Sequence, residues 1–426
     1  LTSGHASGIT DSGTVTVGGN ALLTTDANDG VINMGTMAVD GYFTLAPNGT
    51  GAVTIVNDAG LDLALSTMGG TFSGTATTGN ISDRGNLAIT GAATFITGAD
   101  GSNIILDQSG SVFTSTVTMQ ADDGSEAFGN ITFVDSAAVR LHSSAASAGD
   151  LYINAGTDLA VGGNLSVTAT TGNITQGAAV TVTGTSAFTT LATDADITLG
   201  SANALGGAVT LDTSGSGGDA TLDNGTTALI VAQSSVGGNL TLTSGHASGI
   251  TDSGTVTVGG NFSATTDANN GDIDLGTLAV TGTITLATND DANNNTGHAT
   301  VVNATQVTLA ASSVDGNLAA TATTGSITQS GALAITGTST FVTSANNETI
   351  TLNETSNAFT GAVTITTNDN SGADADVTID GGTTALVIAA STIDGDLRLT
   401  SGHASGITDS GTVTVLGDIY LITDAG

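Results

Sequence analysis

VINMGTMAV at residues 31–39 and DIDLGTLAV at residues 272–280 are one phrase written twice, 241 positions apart. The differences between the two copies are ordered. Ile32, Met34, Met37 and Val39 answer to Ile273, Leu275, Leu278 and Val280, and every one is apolar. Between them Val31 answers to Asp272 and Asn33 to Asp274, so these positions drift to acid. Alternation of this kind is the mark of a strand with one face in a core and one in water.

The phrase belongs to a larger pattern. LTSGHASGITDSGTVTV begins at Leu1, Leu242 and Leu399, and a second unit, TATTGN or TATTGS leading to Phe, runs from Thr75 to Phe95, Thr168 to Phe188 and Thr321 to Phe341. Beneath both lies a shorter beat. Leu165, Phe188 and Val209 start similar strands, as do Leu240, Phe262, Ile284 and Val307, at steps of 21 to 23 residues. A step of that length fits one turn of a β-solenoid, two or three short strands joined by tight turns. Asp29-Gly30, Thr78-Gly79-Asn80 and Gly163-Asn164 supply the turn residues. A sandwich would show short alternating strands too, but not one beat sustained through 426 residues without a linker. The expected fold is all-β, a right-handed parallel β-helix (β-solenoid) with about 20–23 residues per turn. It forms one continuous repeat region over residues 1–426, on the order of 90 Å long at the ~4.8 Å strand spacing. Leu1 opens inside a repeat and Gly426 stops inside one, so the chain reads as a segment of a longer protein or filament.

Composition supports this. Gly is 61 of 426, Pro 1, and Cys and Trp are absent. Lys is missing and Glu scarce, which removes the residues that build the wet face of a helix. The net charge is −35, and Arg84, Arg140 and Arg398 are the only cations besides His and the amino terminus. No basic stripe for nucleic acid can be assembled, and an anionic membrane would repel the chain. No apolar run approaches the roughly 18 residues of a membrane span; Ala228–Ala232 and Ala385–Ala390 each suit one buried strand.

The phrases GNLTLTS, GITDSGTVTVGGN and GNLSVTATTGNITQ, with VTVTGTSAF, resemble the repeat stalks of filamentous-haemagglutinin-like proteins, large two-partner-secreted exoproteins of bacteria. The resemblance runs along essentially the whole chain. It implies a right-handed parallel β-helix, export across the outer membrane, and a part in adhesion, biofilm matrix or filament formation. The secretion domain of that family and any effector domain have no counterpart in this sequence.

Each chemically suggestive residue has a plainer reading beside it. His5, His246 and His403 sit in identical SGHASGITDSG loops with Ser and Asp nearby, but nothing specifies an activated Ser or an oxyanion hole. They read as turn residues copied by duplication, and copies 157 residues apart cannot share a metal. Asp26–Gly30, Asp267–Gly271, Thr288–Asp291 and Asp369–Asp376 offer oxygens to calcium. They match neither the EF-hand order nor the calcium-binding nonapeptide, and Asp29 gives way to Asn270. They read as solvated turns. Phe95, Phe188 and Phe341 read as core fillers at a corner, not as a sugar platform. Tyr42, Tyr152 and Tyr420 are scattered. Thr-x-Thr phrases such as Thr14-Val15-Thr16 and Thr181-Val182-Thr183 lack the constant register of an ice-binding array. The sequons at Asn80 and Asn164 are expected by chance in an Asn- and Thr-rich chain.

The sequence therefore points to a non-catalytic stalk or fibre of a secreted or cell-surface bacterial protein, with no catalytic, cofactor or metal residues assigned. Partners would be other copies, end to end or side by side, or surface and carbohydrate receptors engaged by regions outside this chain. Two rivals stand beside it. A calcium-dependent surface-layer or adhesin module would use the acidic loops. A carbohydrate-active β-helix enzyme is hard to build with no Lys and three dispersed Arg, and would need a deep cleft where Arg140 or Arg84 meets paired carboxylates.

Overall fold

The computed structural model describes residues 1–99, 101–121, 129–136, 138–141, 150–153, 159–161, 163–267, 270–289, 296–368 and 374–424. All regular structure among them is β, and the named strands pair in parallel. The chain divides into two compact units, Leu1–Gly215 and Ser216–Gly426. Each is a parallel β-solenoid of roughly 22 residues per turn.

One turn in the second unit shows the construction. The long strand Leu240–Ser244 is followed by the short strands Ile250–Asp252 and Val256–Val258, and then Phe262–Thr266 lies directly over Leu240–Ser244. One side of the coil is thus a straight five-residue strand, and the other is a bent pair. Alternate residues point inward: Leu240, Leu242, Phe262, Ala264, Val256 and Val258 are fully buried. Each large aliphatic so buried contributes about 1.5–3 kcal/mol. Parallel pairing also gives every turn its backbone partners in the turns on either side.

The phrases at residues 31–39 and 272–280 lie where the bent side becomes a single strand, Ile32–Val39 in the first unit and Ile273–Val280 in the second. The alternation does not run straight through it. Gly35 and Thr36 are both exposed, and the register shifts between Met34 and Met37, as it does between Leu275 and Leu278. The strand turns a corner there, which is why four apolar positions with uneven spacing all reach the core.

A second rule overlies the coil. In the second unit the long strands Ala220–Asp223, Leu240–Ser244, Phe262–Thr266 and Thr283–Ala287 form one column. The next long strand, Ala299–Asn303, does not continue it. It stacks over the bent strand Ile273–Val280, while the short strands Val307–Leu309 and Ser312–Val314 stack over Thr283–Ala287. The two sides have exchanged. They exchange again where Val377–Asp380 stacks over Ile350–Leu352 and the short strands Leu386–Ile388 and Ser391–Ile393 stack over Val363–Asn368. In the first unit exchanges occur where Val53–Asn57 stacks over Ile32–Val39 and where Ile131–Asp135 stacks over Ile104–Leu106. A block of four long strands and three bent pairs is three and a half turns, so each block starts half a turn out of phase with the last.

Buried polar side chains staple these joints. A straight strand over a bent one leaves backbone groups unmatched. Asn57, fully buried, accepts the Val39 N–H at 2.9 Å and donates to the carbonyls of Val39 and Gly60. Asn303 does the same for Val280 and Gln306. In the opposite mismatch a serine serves. Ser66, Ser312 and Ser391 accept the N–H of Leu45, Leu286 and Ile365 at 3.0 to 3.1 Å.

Candidate functional site

The histidine loops are built alike. Nδ1 of His5, His246 and His403 accepts the N–H of Ser7, Ser248 and Ser405 at 2.9 to 3.0 Å. The carbonyl of each His accepts the N–H of Gly8, Gly249 or Gly406 at 2.8 Å. These glycines have φ of +72, +63 and +65°. The ring nitrogen nearest the backbone is spent on closing the turn, and the nearby Ser244 and Ser401 hydroxyls donate to the carbonyls of Thr227 and Thr384. Each hydroxyl also accepts the backbone N–H of its own His at 3.3 Å, so the arrangement is a turn motif in which the serine meets the histidine backbone and not its ring.

The acidic loops are likewise explained by backbone geometry. Asp29 and Asn270 both take positive φ, +61 and +66°. Asp and Asn are the non-glycine residues that best tolerate that region, so Asp29 and Asn270 interchange without altering the turn. It is these residues, and not Gly30 and Gly271 after them, that take the left-handed conformation. Asp29 Oδ1 accepts the N–H and hydroxyl of Thr50 at 2.7 and 2.8 Å, and these hydrogen bonds hold its carboxyl below the usual range. Residues 268–269, 290–295 and 369–373 of the other acidic stretches lie outside the described residues. Among the described residues no three His, Asp or Glu side chains converge as a metal site.

Phe95, Phe188 and Phe341 are fully buried, but at the centre of long strands and not at corners. In the first unit Phe72, Phe95, Phe113 and Phe133 form a stack with ring centroids 5.2 to 6.3 Å apart. The Thr phrase at residues 181–183 makes no rank, since Thr181 pairs laterally with Ala160 and Ala204, but Thr283, Thr308, Thr328, Thr351 and Thr378 do line up on successive turns of the second unit. The sequon asparagines have a structural use. Asn80 accepts the N–H of Asn103, Asn103 that of Asn130, Asn130 that of Asn164 and Asn164 that of Thr185, at 2.8 to 2.9 Å. This is a column along one corner.

The tyrosines are not scattered. Arg84 lies over the ring of Tyr42, its guanidinium carbon 4.6 Å from the centroid. Arg398 and Tyr420 are register partners on adjacent strands, and so are Arg140 and Tyr152. All three Arg of the chain thus neighbour its three Tyr. Sequence reading missed this because Tyr42 and Arg84, and Arg398 and Tyr420, are separated by about two turns and one turn. Laying the sequence out on the 22-residue beat would have shown those two pairs.

Arg84 and Tyr42 line a cleft of about 360 Å³ with Asn20, Asp40, Asp62 and Asn80. Arg84 Nε donates to Asp62 Oδ2 at 2.8 Å, and Nη2 reaches the same oxygen. Its guanidinium is held further in the charged form by that carboxylate. The cleft lies at a joint, where Tyr42 and Asp62 are partners across the exchange of sides. At the corresponding joint of the second unit a cleft of about 460 Å³ is lined by Thr281, Thr305, Gln306, Thr324, Ser326 and Glu348.

Fold and surface together define a β-solenoid repeat protein. The chain belongs to the family described as repeats of unknown function (DUF5649), which matches residues 50–120, 129–212, 217–287, 296–366 and 374–426. Matches beginning at residues 50, 217, 296 and 374 open three residues before the first long strands Val53–Asn57, Ala220–Asp223, Ala299–Asn303 and Val377–Asp380. One family repeat is one three-and-a-half-turn block. No curated protein and no solved structure matches the chain.

Proposed function

We propose that the chain is a structural stalk or fibre segment of a secreted or cell-surface bacterial protein, akin to the repeat stalks of filamentous-haemagglutinin-like exoproteins. The observation that carries the reading is the way load would pass through each unit. Turn stacks on turn through parallel ladders, the aliphatic core is continuous, and each joint is stapled by buried Asn and Ser side chains. Such a coil resists bending because every turn is hydrogen-bonded to both neighbours. The net charge of −35 keeps like surfaces apart and the protein soluble outside a cell. The calcium-dependent rival loses support from the left-handed turn role of Asp29 and Asn270. Electron microscopy of the native material tests the proposal. Fibres of constant width are expected, and discrete globular particles would refute it.

A further inference from the structure

The joint cleft of the first unit is furnished unlike its counterpart in the second. Strand register aligns the two. Tyr42 pairs with Asp62 and Asp62 with Ser82, as Thr283 pairs with Thr308 and Thr308 with Thr328. Arg84, two residues past Ser82, therefore corresponds to Ser330, and Asp40, two before Tyr42, to Thr281. The backbone notch is common to both units. The register equivalents of Tyr42, Asp62, Arg84 and Asp40 are the small hydroxyl residues Thr283, Thr308, Ser330 and Thr281, of which Thr281 lines the second cleft, beside Gln306 and Glu348. In a chain with three Tyr and three Arg, one of each has been placed in this notch.

We propose that this cleft binds a neutral saccharide. Its volume, about 360 Å³, lies within the roughly 300–1,000 Å³ range of small-molecule sites and suits one or two pyranose rings. Asn20 and Asn80 use their Oδ1 atoms on the N–H groups of Tyr42 and Asn103, which leaves the Nδ2 donors directed to other uses. With the Tyr42 hydroxyl and the Asp40 carboxylate, the cleft presents planar donors and acceptors side by side, the complement of vicinal sugar hydroxyls. Arg84 covers one face of the Tyr42 ring, and the opposite face is the apolar surface that would meet sugar C–H groups. Arg84 clamps the ring by its stacking and is itself fixed by Asp62, so both planar groups are preorganised. Two carboxylates against one guanidinium leave the cleft net negative, which selects against uronic acids and sulfated sugars. This inference is independent of the stalk reading, since the cleft exists whether or not the units join into fibres.

The test is saturation-transfer-difference NMR on the whole chain with millimolar methyl glycosides of glucose, galactose, mannose and N-acetylglucosamine, and with methyl glucuronide as the charged comparison. Tyr42→Thr and Arg84→Ser install the register equivalents found at the joint of the second unit, Thr283 and Ser330, and circular-dichroism melting verifies that both variants fold. The expected result is transfer to at least one neutral glycoside, reduced at least tenfold in each folded variant. Three results overturn the proposal: no transfer to any neutral glycoside, transfer undiminished in the variants, or transfer to the glucuronide alone. A variant that melts early while the parent chain binds no glycoside shows that the Arg–Tyr pair is only a staple between turns, and also overturns it.

Discussion

Asn303→Leu isolates the energetics of a joint. Asn303 is fully buried, and Leu has nearly its shape, so the substitution leaves little void. What it removes is the pairing of two backbone groups, the Val280 N–H at 2.8 Å and the Gln306 carbonyl at 2.6 Å; the Val280 carbonyl, at 3.0 Å from Asn303, keeps the Thr305 hydroxyl at 3.3 Å. Each buried group left without a partner costs about 1–3 kcal/mol. Burying the leucine returns about 1.5–3 kcal/mol. At the middle of those ranges the net is a local destabilisation of about 2 kcal/mol, which by ~1.4 kcal/mol per decade raises the opening constant of the joint by about 25-fold. A solenoid does not unfold all at once, so a global melt would dilute the effect. Native-state hydrogen exchange reads it where it occurs. The Val280 amide should lose protection by that factor, while amides in Leu240–Ser244 change little. Asn303→Asp should fall between, because a carboxylate still accepts the Val280 N–H. The first unit already carries Asp135 at such a joint, accepting the Phe113 N–H at 3.3 Å. A Val280 exchange rate within threefold of the parent value in Asn303→Leu would refute the stapling argument.

Gly249→Ala should unfold its corner locally, since φ is +63° and the added Cβ would lie 1.7 Å from the Asp272 carbonyl oxygen; thermal melting should drop or expression fail, and an unchanged melt would contradict the close approach. Asp83 is nine-tenths buried, and burial pushes its carboxyl from 3.8 up to about 6, with Asp107 adding repulsion. Because the folded state holds that proton more tightly than the unfolded chain, the destabilisation is absent below pH 4 and complete above pH 6. Asp83→Asn should therefore melt higher than the parent at pH 7 and alike at pH 3.5, and equal shifts at both pH values would contradict the burial effect. Spin labels at Ala247→Cys and Ala404→Cys in the second unit, seven turns apart, should give a distance of about 34 Å at ~4.8 Å per turn; a broad or much longer distribution would break the register. Melting with calcium and with a chelator should coincide, and a chelator-induced drop would restore the calcium-dependent rival.

The coil was legible because the core position is enforced at every turn: Ile32 and Ile273, or Val39 and Val280, have no freedom to become polar. The exchange of sides was not legible. Asn57 and Asn303, which hold it, look like any other turn asparagine in a chain full of them, and only burial distinguishes them from exposed corner residues such as Asn80. The bend at Gly35-Thr36 was hidden for a related reason. A corner inside a strand keeps both flanking apolar pairs in the core, so the apolar list is right while the spacing between Met34 and Met37 is wrong for a straight strand. The Arg84–Tyr42 cleft escaped because proximity in a solenoid follows whole turns, and a linear scan for clusters looks only along the chain.

The half-turn offset accounts for the spacing of the duplicated phrases in the second unit. Two blocks make seven whole turns, so a phrase copied two blocks on returns to the same side of the coil. The His loops at His246 and His403 stand in that relation, and the intervening block carries the TATTGSITQ phrase where they would be. In the first unit TATTGN follows TATTGN in successive blocks, so the geometry permits alternation without requiring it. The joints at Tyr42 and at Thr281 each present a notch, and its lining comes from outward positions that the core does not constrain. Thr283, Thr308 and Ser330 fold the joint as well as Tyr42, Asp62 and Arg84 do. Lining residues at such a joint can therefore change without disturbing the ladders, because the core and the pairing are set by the inward positions and the backbone.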